Sequence, residues 1–444
     1  MIMTSHFKKT FTLFFVVATI VILFIVKRTP DMYSPFPKVR PKVCPVWTAV
    51  NTITPLNSTK HFLVSAFKDR RVKGFDVRII SIFKRNSIRP LYCLFCCEGQ
   101  LSKTQVAKIL QLSQNFGYAF GTTLVMCLVP DGCNASHVTL QTEPERPKVV
   151  NQIWLPIRNQ RSRGEEEERM QFNFTVCISN LFGGYNNVLQ YAQTLEMYRL
   201  LGVDRVVIYN TSCGPELDRL LKSYSQTGFV EVVPWPIDMF LKPSIGWVPS
   251  RHRGQLHFFG QLTTMNECVY RSMERSRYVL LNDIDEIIMP YKYDSLVSLM
   301  DVLQQQHPET GVFFIQNHVF PGQYSEPSGR FRLPQWDGLP GLNILEHISK
   351  LIIPGGIPFK MIIQPRLVEQ VAVHRPLKFS GGTVKVPRNV CRMVHVKNYE
   401  IPRPEDLRED KRLWDFQEKL IPNVDRALRR AGLLRSGNGS EQTG

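Results

Sequence analysis

The sequence predicts an α/β fold with a mainly parallel sheet, because short apolar runs alternate with helical patterns from residue 172 onward. The runs typical of strands are 176–179, 205–209, 229–233, 278–281 and 312–315, and the helical patterns are 187–201, 215–225 and about 261–275. Strands connected by helices of this length form βαβ units, whose strands run parallel. The sequence contains no G-x-G-x-x-G motif, which argues against a dinucleotide-binding domain.

The rest of the chain divides by composition. Short β-branched runs predict a small β-rich module, preceded by a proline-rich stem and followed by a charge-dense linker. A basic amphipathic helix is predicted over 405–430 as a solvated flank. The segments are 1–10 for a cytoplasmic tail, 11–26 for a membrane anchor, 27–60 for the stem, 61–157 for the module, 158–171 for the linker, 172–400 for the α/β domain and 401–444 for the basic C-terminal helix and tail.

An apolar segment near the N-terminus predicts the compartment. Residues 11–26 carry no charge and are flanked by pairs of basic residues. As a helix they span about 24 Å, which the thinner early secretory membranes accommodate. A cleaved signal peptide is the alternative, but no small-x-small cleavage site follows Val26. The segment therefore predicts a single-pass type II membrane protein with a lumenal body.

Glycosylation signals and cysteines agree with a lumenal body. All ten cysteines lie after the predicted anchor. Cys93, Cys96 and Cys97 could suggest zinc, but no second pair completes a four-ligand site, so disulfides are favoured. N-x-S/T sequons occur at Asn57, Asn134, Asn173, Asn210 and Asn438.

The chain is strongly basic, with a net charge of +17. A basic balance fits nucleic acid, an anionic membrane surface or an acidic small substrate. No zinc-finger spacing, RNA-binding signature or basic helix with interleaved aromatics occurs. Nucleic acid is therefore the weakest of the three.

Carboxylates follow the apolar run 278–281, where a buried strand leaves the sheet. Open α/β sheets bind ligands outside the carboxyl ends of their strands. In an extended chain Asp283 and Asp285 point the same way, while Glu286 points opposite and supports the site structurally. Two such carboxylates can hold a magnesium or manganese ion that also binds the diphosphate of a nucleotide sugar. The alternative is a solvated acidic turn, which the apolar residues on both sides disfavour.

A further metal ligand must come from later in the chain. His374 and His395 lie in candidate positions. A single histidine is more often structural than a ligand, so both alternatives stay open for each.

Seven sequence blocks occur in a fixed order along the chain. They are Ser65-Ala66-Phe67, Cys177-Ile178-Ser179 with Gly183-Gly184, 198–210, Gly260-Gln261 with Asn266-Glu267-Cys268, Asp283-Ile284-Asp285-Glu286, 360–365 with Val373-His374, and His395. Together they resemble glycosyltransferase family 92, formerly domain of unknown function 23. The likeness covers roughly residues 61 to 400, and the order of the blocks is more specific than any one motif.

The resemblance implies a GT-A-like fold and a type II Golgi enzyme. It also implies a metal-dependent, inverting β-1,4-galactosyltransferase that uses UDP-galactose, with Mn²⁺ or Mg²⁺ as cofactor and the fucose of glycoprotein N-glycans as acceptor. Asp283 and Asp285 match the metal-binding pair of the family. The candidates for binding the nucleotide sugar are Ser179, Asn180, Asn210, Gln261 and Asp283.

Two positions depart from the family pattern. Glu267 stands where the family usually has Asp, and Val396 follows His395 where the family usually has Tyr. These departures leave the third metal ligand and the acceptor open.

An inverting transfer needs a general base within hydrogen-bond reach of the acceptor hydroxyl. The candidates are Glu346 and Asp337, with a slight preference for Glu346. The neighbouring Trp336 would either stack on a sugar face or fill the core. Two other classes remain: a catalytically silent transferase fold that acts as a binding module or chaperone, and a glycan-binding lumenal protein whose carboxylates bind calcium.

Overall fold

Two large β-sheets contact one shared helix, Gln261–Ser272. The computed structural model describes residues 44, 48–71, 74, 76–144, 152–160, 170–352, 359–398 and 403–434. From residue 48 onward, these residues belong to one compact unit.

The first sheet contains the β-branched runs expected of the β-rich module. Its strands are β1 (Thr54–Leu56), β2 (His61–Lys68), β3 (Val77–Lys84), β4 (Tyr92–Cys97), β5 (Gln100–Leu101), β6 (Gln105–Val106), β7 (Lys108–Gln111), β8 (Phe120–Cys127), β9 (Ala135–Gln141) and β10 (Leu155–Arg158). The order is β5-β4-β9-β10-β2-β3-β8-β7, with β1 on β2 and β6 on β4. Only the β10–β2 pair is parallel among the described residues of this sheet.

The second half of the chain alternates strands with helices. Its strands are β11 (Phe172–Leu181), β12 (Arg205–Asn210), β13 (Val230–Pro234), β14 (Ser276–Asn282), β15 (Glu286–Pro290), β16 (Thr310–Ile315), β17 (Asn317–Pro321), β18 (Ser349–Leu351), β19 (Lys360–Ile363), β20 (Val368–Val371), β21 (Pro376–Phe379), β22 (Gly382–Lys385), β23 (Cys391–Lys397) and β24 (Leu407–Glu409). The α-helices are α1 (Val188–Leu200), α2 (Pro215–Gln226), α3 (Gln261–Ser272), α4 (Leu296–Gln306) and α5 (Gln417–Arg430).

The second sheet has the order β13-β12-β11-β14-β19-β16-β22 and is mixed. Its first four strands are parallel neighbours, as the helical connections require. β19 then runs antiparallel to both β14 and β16, and β22 is parallel to β16. The predicted α/β class is confirmed in this mixed form.

Three parallel strands end at the same edge of this sheet. Ile178 of β11 pairs with Ile208 of β12 and with Asn282 of β14. β12 and β14 end on Asn210 and Asn282, and Asn180 is the next-to-last residue of β11, which places the three asparagines along one edge. This is the edge at which open α/β sheets bind ligands.

A separate three-stranded sheet, β15-β23-β17, begins directly after this edge. The turn over 283–285 takes the chain from β14 into β15. In the antiparallel β15–β23 pair, Glu286 lies opposite His395, and Val319 of β17 pairs with His395 from the other side. A residue far along the chain is thereby brought to the acidic turn.

Helix α3 joins the two large sheets. The buried hydroxyls of Thr122 on β8 and Thr263 on α3 are hydrogen bonded at 2.8 Å. The ring of Phe67 on β2 packs against Tyr270 on α3, with centroids 5.8 Å apart. On its other side, α3 contacts β11 and β14.

Two arginines of the β-rich module, Arg71 between β2 and β3 and Arg78 on β3, bind the second half of the chain. Arg71 donates to the carbonyl oxygens of Pro365 and Val368, at 2.9 and 2.6 Å. The fully buried Arg78 lies 3.3 Å from a carboxylate oxygen of Glu369. These contacts attach β20 and the residues before it to the first sheet.

The predicted disulfides are confirmed. Cys93 bonds to Cys127 and Cys97 to Cys133 within the first sheet. A third bond, Cys177–Cys268, attaches α3 to β11. Among the described residues, Cys213 and Cys391 are free thiols.

The C-terminal helix differs from the solvated flank that the sequence predicts. Helix α5 packs on α1 and α2. Its apolar stripe, Leu420, Val424, Ala427 and Leu428, is fully buried, and only the opposite basic face meets solvent.

The prediction of a single-pass Golgi membrane protein is contradicted. Among the residues that the structure describes, no helix is both long enough and apolar enough to cross a membrane. The predicted anchor at 11–26, the tail before it and the N-terminal part of the stem lie outside those residues.

Candidate active site

The acidic residues lie on a turn rather than on an extended chain. Strand β14 ends at Asn282 and β15 begins at Glu286, so Asp283 and Asp285 occupy the turn between them. Asparagine and aspartate favour such turns because their side chains bond nearby backbone groups. The side chains of Asp283 and Asp285 are 39% and 26% exposed, respectively, which leaves both within reach of a ligand.

A buried lysine, Lys360 at the start of β19, pairs with two of the carboxylates. Its Nζ lies 2.7 Å from Asp283 Oδ2 and 2.9 Å from Glu286 Oε2. Burial opposes the ionisation of Asp283, but the Lys360 ammonium outweighs burial and holds the pKa of Asp283 below its ordinary value. Burial raises the pKa of Glu286 although Lys360 acts in the opposite direction.

His395 contacts the other carboxylate. Its Nε2 lies 3.0 Å from Asp285 Oδ2. On the far side of the ring, Nδ1 lies 3.5 Å from Glu286 Oε1 and 3.3 Å from the amide nitrogen of Asn317. Partners behind a histidine in this manner fix the orientation of a metal-binding imidazole. Glu286 therefore supports both Lys360 and His395.

The donor set is chemically suited to a divalent ion. Adjacent ligands of an octahedral Mg²⁺ or Mn²⁺ ion are about 3 Å apart, given metal–ligand distances near 2.1 Å. The 3.0 Å between Asp285 Oδ2 and His395 Nε2 matches that spacing. Asp283 is the nearest further carboxylate, but its Oδ2 faces Lys360. Within the described ranges, no three such donors are gathered into a complete metal site.

His374 lies near the other end of the acidic turn. Its Nδ1 is 3.1 Å from the carbonyl oxygen of Phe359. Burial lowers the pKa of His374, and the charge of Lys360 lowers it further. Phe359 directly precedes Lys360, so this contact places the imidazole beside the lysine that pairs with Asp283.

A hydrogen-bonded row connects three of the candidate nucleotide-sugar residues. The amide nitrogen of Gln261, at the start of α3, lies 3.3 Å from Ser179 Oγ and 3.4 Å from Asp283 Oδ1. Asn180, next to Ser179, donates to the carbonyl oxygens of Phe258 and Phe259. The structure thus brings the end of β11, the start of α3 and the acidic turn together.

Five amide side chains around this edge have a buried oxygen that is unused. In each, the amide nitrogen has a partner, whereas the oxygen has none within the part of the chain that the structure describes. A buried acceptor without a donor is costly, so these oxygens are available for hydrogen bonds from water or from hydroxyl or N–H groups of a ligand. The five are Asn180, Asn210, Gln261, Asn282 and Asn317.

The comparisons with known proteins agree with this placement. The sequence model described as Glycosyltransferase family 92 matches residues 172–430, which is more than half of the 444 residues. The chain belongs to glycosyltransferase family 92. The matched range begins with β11, includes the acidic turn and ends with α5.

Two curated relatives of this family-92 chain come from Caenorhabditis elegans. The beta-1,4-galactosyltransferase galt-1 is 24% identical over 203 residues, which is 44% of this chain and 44% of the relative. Another glycosyltransferase family 92 protein is 27% identical over 141 residues, covering 31% of this chain and 27% of the relative. The chain therefore matches less than half the length of each of these relatives.

Solved structures resemble the family-92 chain only distantly. Glucosyl-3-phosphoglycerate synthase from Mycobacterium tuberculosis, solved with Mn²⁺ and UDP, is 12% identical with a TM-score of 0.25 and covers 60% of this chain and 82% of its own. A mannosyltransferase from Pyrobaculum calidifontis, solved with GDP-mannose and Mn²⁺, is 10% identical with a TM-score of 0.27 and covers 60% and 76%. At these TM-scores neither likeness supports an argument about fold or function.

Sequence reasoning assigned no role to several groups at the family-92 site. The sequence signal for Lys360 is a single charged residue directly before the apolar run Met361-Ile362-Ile363. Tyr185 follows the glycine pair after β11; burial raises the pKa of its phenol, and the charge of Asp285 raises it further. Asn282 and Asn317 gave no signal because asparagine at a strand end is common.

The two candidate bases lie on the segment between β17 and β18. Glu346 is half-buried, and its Oε1 accepts a hydrogen bond from Asn343 at 3.3 Å. Asp337 is exposed beside a short 3-10 turn. The adjacent Trp336 is buried and donates to Asp425 of α5 at 2.7 Å, so it fills the core rather than facing a sugar.

Proposed function

We propose that this protein transfers a hexose from a nucleotide diphosphate sugar to a hydroxyl group of a glycan acceptor, with inversion at the anomeric carbon. The donor is UDP-galactose, and the acceptor is the fucose of a glycoprotein N-glycan. Membership of glycosyltransferase family 92 supports the transfer, and similarity to galt-1 supports galactose and the β-1,4 linkage.

The observation that carries this proposal is the set of unused amide oxygens. Nucleosides and hexoses present many O–H and N–H donors, and the site offers acceptors for them at the ends of β11, β12 and β14. The carboxylate of Asp283 lies beside the amide of Gln261, and Asp285 lies on the same turn, where a diphosphate would follow the ribose. A general polar surface would not bury acceptors in this arrangement.

The residues that would hold Mn²⁺ or Mg²⁺ are Asp285 and His395. Asp283 would join them once it is released from Lys360. When bound there, the ion supplies positive charge for the departing diphosphate. The ammonium of Lys360 contributes a fixed positive charge at the same turn. Glu286 keeps both Lys360 and His395 in place.

Inversion requires one residue to accept the proton of the attacking hydroxyl group. Glu346 and Asp337 are the proposed bases. A base must come within about 3 Å of the acceptor oxygen. Glu346 lies next to Asn343, whose side chain contacts Gln193 of α1, so its position is fixed by the core.

One contact favours a second candidate function. The Lys360 ammonium already neutralises Asp283 and Glu286, as expected in a protein that binds a glycan or nucleotide without transferring sugar. A catalytically silent binding protein is therefore the alternative. It predicts ligand binding without release of UDP.

A donor screen separates the two candidates. The purified full-length protein is incubated with UDP-galactose, UDP-glucose or UDP-N-acetylglucosamine and a fucosylated N-glycan, with and without Mn²⁺, and UDP release is measured. We expect release with UDP-galactose and its loss in Asp285→Asn. The matched control is Asp301→Asn, because Asp301 is an exposed carboxylate in a surface ion pair. Binding of UDP-galactose without turnover would favour the silent protein, and neither binding nor turnover with any donor would refute both.

A further inference from the structure

An aromatic cluster lies beside the acidic turn. The Trp247 cluster consists of Phe116, Trp247, His257, Phe258 and His374. The ring of Trp247 lies edge-on to Phe116 and His257, with centroids 5.2 and 4.8 Å away. Trp247 also lies nearly parallel to His374, at 6.1 Å and 13°. Its side chain remains 38% exposed, so one part of the ring is open to a ligand.

The cluster has features that a simple hydrophobic core lacks. His257 is buried, yet neither ring nitrogen has a hydrogen-bond partner within the described residues. Phe258 and Phe259 have positive φ angles of 38° and 53°, which bulky residues rarely adopt. The amide of Asn180 holds both carbonyl groups in this conformation. Strain and unpaired polar atoms of this kind concentrate at binding sites.

The β-rich module holds residues 244–252, the segment that carries Trp247, in place. The hydroxyl of Tyr118, just before β8, lies 2.9 Å from the carbonyl oxygen of Gly246 and 3.0 Å from that of His252. Ser244 Oγ donates to the same Gly246 carbonyl at 2.9 Å. The two sides of the segment are thereby held together by a residue of the β-rich module. The module thus positions Trp247.

The position of Trp247 favours a sugar acceptor over the nucleobase. The unused oxygens of Asn180 and Asn210 lie at the ends of β11 and β12, toward the β13 edge of the sheet. Trp247 lies parallel to His374, whose Nδ1 is 3.1 Å from the carbonyl oxygen of Phe359, the residue before Lys360 and β19. The sugar that receives the hexose must approach the acidic turn, where the diphosphate bond breaks.

The tip of the segment is apolar and exposed. Ile245 and Val248, on either side of Trp247, are 70% and 44% exposed. An aromatic ring flanked by exposed apolar side chains fits the apolar face of a sugar ring, while the hydroxyl groups remain free for hydrogen bonding. A single exposed apolar residue is normal on a protein surface. Three of them close together beside the candidate active site, Ile245, Trp247 and Val248, indicate a binding surface.

We propose that Trp247 is the platform on which the acceptor sugar stacks, and that Tyr118 of the β-rich module is the residue that positions this platform. The proposal rests on the proposed transfer. Trp247 and Tyr118 take no part in the chemical step, which involves the residues of the acidic turn and the general base. The ligand of the platform is the terminal monosaccharide of the acceptor glycan.

Kinetics of the full-length protein test the platform. The variants are Trp247→Ala, Tyr118→Phe and, as control, Phe379→Ala, because Phe379 is also 38% exposed. Transfer to methyl α-L-fucoside and hydrolysis of UDP-galactose without acceptor are both measured. We expect Trp247→Ala to raise the acceptor KM about tenfold or more, the loss typical of a binding hot spot, while donor KM and hydrolysis stay unchanged. Tyr118→Phe should raise the acceptor KM less, with kcat retained, and Phe379→Ala should change neither.

Two results would overturn the platform. An unchanged acceptor KM in Trp247→Ala removes the acceptor role, and an equal rise in donor KM indicates a nucleobase platform instead. If the wild-type protein neither hydrolyses nor transfers, the proposed function fails, and saturation-transfer NMR with methyl α-L-fucoside still decides the platform. A signal with wild-type protein that is lost in Trp247→Ala supports it; no signal, or an equal signal in both, refutes it.

Discussion

Replacing Lys360 by methionine tests whether this lysine neutralises the acidic turn. Methionine keeps much of the apolar stem but removes the charge next to Asp283 and Glu286. Removing one partner of a buried ion pair costs about 3–5 kcal/mol. Asp283 is 39% exposed, so water offsets part of the loss. We therefore expect the free energy of unfolding to fall by about 3 kcal/mol and the melting temperature by about 3–4 °C.

The loss of stability in Lys360→Met should be larger at neutral pH than at acidic pH. Without Lys360, the pKa of the buried Glu286 rises further above its ordinary value. A carboxyl group with a raised folded-state pKa stabilises the native protein below its unfolded value of about 4.3, and this contribution disappears as the pH rises. The stability defect of Lys360→Met should therefore be large at pH 7 and should shrink toward pH 4.5.

Urea unfolding followed by circular dichroism at both pH values measures this effect. The control is Lys222→Met, since Lys222 is 72% exposed in its ion pair with Asp218 and its loss should leave stability unchanged. Adding Glu286→Gln to Lys360→Met should restore part of the stability at pH 7, because the buried carboxylate is then gone. A defect of equal size at both pH values, or no recovery in the double variant, would refute the reasoning.

Three other predictions concern single contacts. Asp285→Ala should abolish Mn²⁺-dependent binding of UDP-galactose in calorimetry, with the melting temperature within a few degrees of wild type; binding that survives removes the metal role. Glu267→Gln should lower the free energy of unfolding by about 3–5 kcal/mol, because it breaks the buried two-point ion pair with Arg271; an unchanged urea midpoint would contradict this. Replacing Cys177 and Cys268 together by serine should cost about 4 kcal/mol, because their bond closes a loop with a sequence separation of 91; equal stability of the oxidised wild type and the double variant would contradict it.

The strands and helices could be read from sequence because their apolar periods are strong. The predicted strand 205–209 is β12 with one more residue, and the predicted helix 187–201 is α1 within one residue at each end. The β15–β23 pair could not be predicted, because nothing local indicates that Glu286 lies opposite His395 across more than a hundred residues. Register between distant strands depends on tertiary packing.

The candidate site was predictable in its residue types but not in its geometry. The expectation of an extended chain at 283–285 fails because asparagine and aspartate stabilise the turn that the structure has there. Trp336 had two interpretations from sequence, and only the position of α5 decides that it is buried. Glu267 belongs to a buried pair with Arg271, which nothing local in the sequence indicates.

The attachment of α3 to both sheets has a consequence for how the protein can be divided. A fragment limited to the family range 172–430 would expose Thr263 and Tyr270 to water and would leave Glu369 without Arg78. The boundary that marks shared ancestry is thus not a boundary of independent folding. We expect such a fragment to aggregate, and a chain that also retains the first sheet to remain monodisperse.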